Sequence, residues 1–125
     1  MLANGIIRAV IAAQDVNRAR RWYAEKLGLN PLREQAQGLL YEINGTQFFL
    51  YQTSSAGTAQ NTVAEFEIAD FDATMDDLRG RGVVFEEYDY PDFKTVNGVI
   101  SLDGVRAAWF KDSEGNILAL SEPHR

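Results

Sequence analysis

A strand that runs straight into a capped amphipathic helix occurs twice in this 125-residue chain, and that repetition limits the fold more than any other feature. From Ile6 to Ala13 seven of eight residues are apolar, Arg8 being the exception, as expected of a strand buried on both faces. Asp15 stands where a helix N-cap belongs, its carboxylate able to accept from a first-turn amide. Val16, Ala19, Trp22, Tyr23 and Leu27 then fall on one helical face, which assigns Trp22 and Tyr23 to the core. Gly28 follows where the left-handed residue after a helix usually sits. The second copy is Thr62 to Ala69 as strand, Asp70 or Asp72 as cap, and Phe71, Met75 and Leu78 as the apolar face up to Gly80 and Gly82. Asp15 and Asp70 lie 55 residues apart (70 − 15), and Gly28 and Gly82 lie 54 apart (82 − 28). Self-similarity at one period, with the elements in one order, predicts duplicated structural units.

Each unit continues with strands. In the first, Leu29 to Gln37 is a weak edge strand and Leu39 to Ile43 a firmer one, with Thr46 to Gln52 returning from it. Asn44-Gly45 between the last two favours a two-residue type I′ hairpin, because both turn residues need positive φ. Thr53 to Asn61 has no large apolar residue and reads as a flexible connector. With no Lys and one Gly, it is a poor phosphate-binding loop. In the second unit Val83 to Tyr90, Asn97 to Leu102, Val105 to Lys111 and Asn116 to Ser121 supply strands. Tyr88 to Phe93, before Lys94, is an aromatic and acidic stretch that suits a lid, a subunit contact or simple edge packing. The expectation is an α+β chain of one domain, with units at about 5–52 and 62–123 joined by linker 53–61.

Composition removes several function classes. Zero Cys excludes disulfides, zinc–thiolate sites and a Cys nucleophile. No apolar run approaches the roughly 18 residues of a membrane span, and Met1 to Asn4 does not read as a signal peptide, so a cytoplasmic protein is expected. A formal charge of −6 argues against nucleic acid as a partner. The single His, His124, sits next to last and reads as tail. A Ser–His–Asp triad would have to use it and has no nucleophile elbow.

The segments DVNRARRWYAEKLGL, DFDATMDDLRGRGV and WFKDSEGNILALSEP resemble the vicinal oxygen chelate superfamily, which includes glyoxalase I, bleomycin-resistance proteins and extradiol dioxygenases. The likeness runs from about Ile6 to Pro123. It implies paired βαβββ units whose mixed sheets curl into a cup, helices on the convex side and the site on the concave one. It also implies a homodimer. Enzymes of that superfamily carry His or Glu metal ligands on four strands. The matching positions here are Arg8, Phe49, Val63 and Ala119; slips of one residue give Phe48 or Leu50, and Leu118 or Leu120. None of these binds a divalent cation, and a catalytic metal needs about three converging His, Asp, Glu or Cys donors. Glu65 and Glu67 share a strand face and could offer carboxylates, but Arg8 would oppose a cation. Acid–base work by Glu65 with Glu67, or by Glu42, stays open. The expectation is no metal, no cofactor and no catalytic residue.

Strand parity places Arg8, Phe49, Tyr51, Glu65 and Trp109 toward the cup. Flat apolar walls with a few polar groups suit a small organic molecule. Arg8 could pair with a ligand anion or stack on a ring; equally, Arg8 and Glu65 could pair with each other while the aromatics fill the space. The first reading is a metal-free binding, possibly sequestering, protein like the bleomycin-resistance proteins. Two others stand beside it: a lyase, isomerase or dioxygenase with a non-standard site, and a structural or partner-binding module with a filled cup.

Overall fold

The computed structural model describes residues 1–123. After a 3₁₀ turn at Leu2–Asn4, the first half comprises β1 (Ala9–Ala13), α1 (Val16–Trp22), β2 (Arg33–Gln35), β3 (Gly38–Ile43) and β4 (Thr46–Gln52). The second half comprises β5 (Thr62–Glu67), α2 (Phe71–Gly80), the short pair β6 (Asp89–Tyr90) and β7 (Phe93–Lys94), then β8 (Ile100–Leu102), β9 (Val105–Lys111) and β10 (Ile117–Ser121). The strands form two open mixed sheets of the same design. One has the order β1-β4-β3-β2, the other β5-β10-β9-β8, and β1–β4 and β5–β10 are the parallel pairs. The chain is therefore α+β, built on the βαβββ pattern twice, as the 55-residue repeat requires.

Local signals explain most element ends. The Asp15 side chain accepts from the Arg18 amide at 3.0 Å, closing the first turn of α1. Helix α1 then widens into a π-helical turn, Tyr23–Leu27, and stops at Gly28 with φ 69°. Asn44 and Gly45 take φ of 48° and 82°, the type I′ values that the strand twist selects. Asp70 stands at the N-cap of α2 without a side-chain capping bond. Asp72, the other candidate, is held by Arg106, whose Nη1 and Nη2 donate to its two carboxylate oxygens at 2.8 and 3.1 Å.

Two expectations change. The first strand begins at Ala9, not Ile6, and is buried on one face only. Ile11 and Ala13 are in the core, whereas Ile7 is 96% exposed and Val10 59%. The reason is layering: the core packs on one face of this sheet, so only alternate residues of β1 are covered. The Val83 to Tyr90 strand is likewise reduced to one bridge, Phe85 to Phe110, before the chain turns into the β6–β7 hairpin.

The core lies between the sheets and helices and draws on both halves. Ile11, Tyr23, Tyr41, Phe48 and Leu50 join Phe71, Met75, Leu78, Phe110 and Leu118. Trp22 stacks on Phe110 across the halves, with centroids 6.4 Å apart. The Asp112–Asn116 turn locks this arrangement. Asn116 Nδ2 donates to the Ala12 carbonyl at 2.7 Å, and Tyr23 Oη donates to Asp112 Oδ2 at the same distance. The connector is also pinned: a Cβ on Gly57, at φ +76°, would stand 2.4 Å from the Glu114 carbonyl oxygen.

Candidate functional site

With helices on one face of each sheet, the opposite faces, concave in the proteins this sequence resembles, are where a site can form. On the first sheet, ladder register puts Val10, Phe49, Leu40 and Arg33 in one row across β1, β4, β3 and β2. Residues directly opposite one another share a face. The next row is Ala12, Tyr51, Gly38 and Gln35. Just ahead of β1, Arg8 Nε donates to Gln47 Oε1 at 2.6 Å, and Gln47 Nε2 in turn reaches Glu42 Oε1 at 3.4 Å. Arg8, Val10, Arg33, Gln35, Leu40 and Phe49 together line a cavity of about 460 Å³ open to solvent. Its floor is apolar and partly aromatic, and its rim carries two guanidinium groups.

The second sheet's concave face is arranged differently. Glu65, Ala119 and Trp109 form one row. The β6–β7 hairpin folds over it, with Tyr88 and Phe93 ring centroids 5.8 and 5.3 Å from Trp109. Tyr88 and Phe93 also meet edge on at 5.8 Å, and Tyr90 stacks on Tyr88. Trp109 Nε1 donates to Thr62 Oγ1 at 3.2 Å. The aromatic and acidic stretch thus packs over its own sheet, with Tyr88 and Phe93 against the partly exposed Trp109.

The structure does not gather Arg8, Phe49, Tyr51, Glu65 and Trp109 around one cavity. Arg8 and Phe49 line the same one, and Tyr51 occupies the adjoining row. Trp109 is within the hairpin's aromatic cluster. Glu65 borders a separate gap at the seam of the halves, with Gln47, Phe48 and Phe66. The seam is also where β1 and β5 run close together. Arg8 pairs with Gln47 rather than Glu65. Parity alone identified which residues face away from the helices. It could not show which sheet a cup belongs to, nor that a hairpin covers one of them. The sequence marks Leu29 to Gln37 as an edge strand but does not single out Arg33 and Gln35, because the strand they form is three residues long and wholly exposed, with no apolar alternation to give its facing. The signal available was Pro31 followed by polar residues before the firm strand β3.

The metal positions implied by the family likeness can be tested against the side chains present. Phe49 stands opposite Val10 in the ladder, and the group beside Arg8 is Gln47, one pleat earlier. Ala119 faces Trp109 and Glu65. No set of three His, Asp or Glu side chains converges among the described residues; His124 lies outside them. A guanidinium, an amide and apolar groups at these positions do not fit a divalent cation.

The strongly held carboxylates lie elsewhere and are structural. Burial would raise the Glu114 carboxyl, but Arg18, the Asp15 amide and Ser113 outweigh it and hold it at about 2. The Arg106 guanidinium holds Asp72 and Glu122 below the usual carboxylate range. Each ties one element to another; none opens onto the first sheet's cavity.

No family model matches the chain, and no curated protein matches it in sequence. Solved structures do match its shape. A glyoxalase/bleomycin resistance protein/dioxygenase from Alicyclobacillus acidocaldarius aligns with TM-score 0.73 and 16% identity, over 98% of this chain and 93% of that one. Lactoylglutathione lyase from Agrobacterium tumefaciens gives TM-score 0.70 and 14% identity over 94% and 92%. Oxidase ChaP-H2 gives 0.69 and 22% over 96% and 94%. Two βαβββ halves, the parallel β1–β4 and β5–β10 pairs and these full-length superpositions agree: the chain has the fold of the glyoxalase, bleomycin-resistance and dioxygenase proteins of the vicinal oxygen chelate superfamily.

Proposed function

We propose that this protein binds a small organic molecule, without a metal, in the concave cavity of its first sheet. The observation that carries the reading is the contrast between the two concave faces. The second is covered by its own hairpin, while the first opens to solvent at exposed Val10 and half-buried Phe49, with Leu40 buried beneath them and polar groups at the rim. Apolar walls with a few orienting polar groups are the usual makeup of a small-molecule site. In this reading Arg8, Phe49 and Tyr51 face the ligand, Trp109 holds the hairpin, and Glu65 belongs to the seam. Sequestration requires no catalytic group, which accords with a metal-position set of Arg8, Phe49, Val63 and Ala119.

The same reading treats residues 5–52 and 62–123, with linker 53–61, as two units of one domain. Core residues shared between the halves support it. It places the protein in the cytoplasm and gives it no nucleic-acid partner, the latter supported by its −6 charge. No helix among the described residues is long and apolar enough to cross a membrane. A homodimer is the proposed assembly. Exposed Leu2, Ile6 and Ile7 form an apolar stretch ahead of β1 that a second copy would cover.

Thermal melting against a panel of organic molecules and divalent metals with chelator tests the reading. A ligand at 100 times its Kd stabilises by about 2.7 kcal/mol, and Phe49→Ala is expected to abolish that gain while Trp109→Phe leaves it. A shift with a metal alone, removed by chelator, would overturn the metal-free reading.

A further inference from the structure

We infer that the ligand of the first sheet's cavity is a flat organic anion, held by Arg8 and Arg33. This rests on the small-molecule reading above and names its chemical class.

The charge arrangement carries the argument. Acidic residues outnumber basic ones by 18 to 12, so an average stretch of this surface is negative. The cavity reverses that sign. Its lining holds two arginines and no carboxylate. Most other arginines are committed to acids: Arg18 to Glu114, Arg20 to Glu34, Arg81 to Asp77, and Arg106 to Asp72 and Glu122. Arg8 and Arg33 form no ion pair among the described residues. Arg8 spends its Nε on the neutral amide of Gln47, which leaves its remaining N–H donors directed elsewhere.

The geometry sets the ligand's form. Arg8 precedes β1 and Arg33 opens β2, at opposite edges of the four-stranded sheet. Three strand spacings of about 4.8 Å separate those edges by about 14 Å. Between them lie Val10, Phe49 and Leu40, in the order of the strands. A flat apolar body can lie on that floor against the Phe49 ring, with its oxyanion on the forked donors of one guanidinium and its far edge against the other, as a cation meets a ring. Carboxylates fit that fork in two parallel hydrogen bonds, which an ammonium or amide ligand cannot reciprocate.

The test uses three probes of one shape: naphthalene-2-carboxylate, the neutral naphthalene-2-carboxamide and the cationic 2-naphthylmethylammonium. Binding is read from the backbone amide resonances of Val10, Leu40 and Phe49 in the intact protein. The carboxylate is expected to move these signals with a Kd at least tenfold below either other probe, and to weaken severalfold as salt rises. Arg8→Gln and Arg33→Gln are each expected to weaken it at least fivefold. Their melting temperatures should match the parent, since both side chains are exposed. Arg33→Lys keeps the charge but not the fork and is expected to recover only part of the loss. Equal binding of the amide or ammonium at the same resonances overturns the anion assignment and leaves small-molecule binding standing. If none of the three moves them, the anion assignment falls, and the broader reading falls with it only when the melting panel also shows no shift.

Discussion

Replacing Glu114 by Gln should destabilise the protein at neutral pH and much less in acid. Its side chain is fully buried and is met by four donors: Arg18 Nε at 2.9 Å, Arg18 Nη2 at 3.0 Å, the Asp15 amide at 2.9 Å and Ser113 Oγ at 2.8 Å. Together they hold its pKa at about 2, against 4.5 ordinarily. A tenfold change in proton affinity is worth about 1.4 kcal/mol, so the charged form contributes about 3 kcal/mol at pH 7. Arg18 is 48% exposed, and water screening brings the working value to about 2 to 3 kcal/mol. The sign follows from linkage. The folded value lies below the unfolded one, so the stabilisation is present above about pH 4.5 and is lost as pH falls toward 2. At pH 3 about 1 kcal/mol remains. Urea unfolding of both proteins at pH 7, 5, 4 and 3 measures the gap, which should narrow by about 2 kcal/mol across that range. A gap that stays constant with pH would refute the account, because it would mean that the carboxylate's charge contributes nothing beyond its shape.

Two further perturbations probe the packing. Gly57→Ala puts a methyl group 2.4 Å from the Glu114 carbonyl at positive φ, and urea titration should show a loss of about 2 to 3 kcal/mol. Tyr41 is buried with its hydroxyl unpartnered, while its ring stacks on Phe48 at 4.6 Å. Burial, opposed by Arg20, pushes the phenol up to about 12. Tyr41→Phe keeps the stack and removes the orphan group, so it should be neutral or stabilise by about 1 kcal/mol in the same assay.

Much of the fold was written locally. The Asp15 cap, the Gly28 stop and the Asn44-Gly45 turn each depend on a few neighbouring residues, and β4 and β9 span the residues that alternation assigns to them. The 55-residue repeat likewise carried the matching sheet orders. The candidate site was legible only in part. Arg8 and Phe49 were recognisable as facing away from the helices, but Arg33 was not, because a three-residue exposed strand leaves no pattern.

The terminal WFKDSEGNILALSEP segment marks the same boundary between sequence and structure. Its resemblance to the superfamily was visible at once, yet its work was not. Only the folded chain brings Asp112, Glu114 and Asn116 against Tyr23, Arg18 and Ala12, roughly a hundred residues earlier. Hydrophobic period and turn chemistry act over a few residues, so the helices, the hairpin turn and the duplicated units are legible without the folded chain. Tertiary structure alone decided that a hairpin covers Trp109 while the sheet of Phe49 stays open. Which face is covered depends on contacts between segments far apart in the chain, and no local pattern records them.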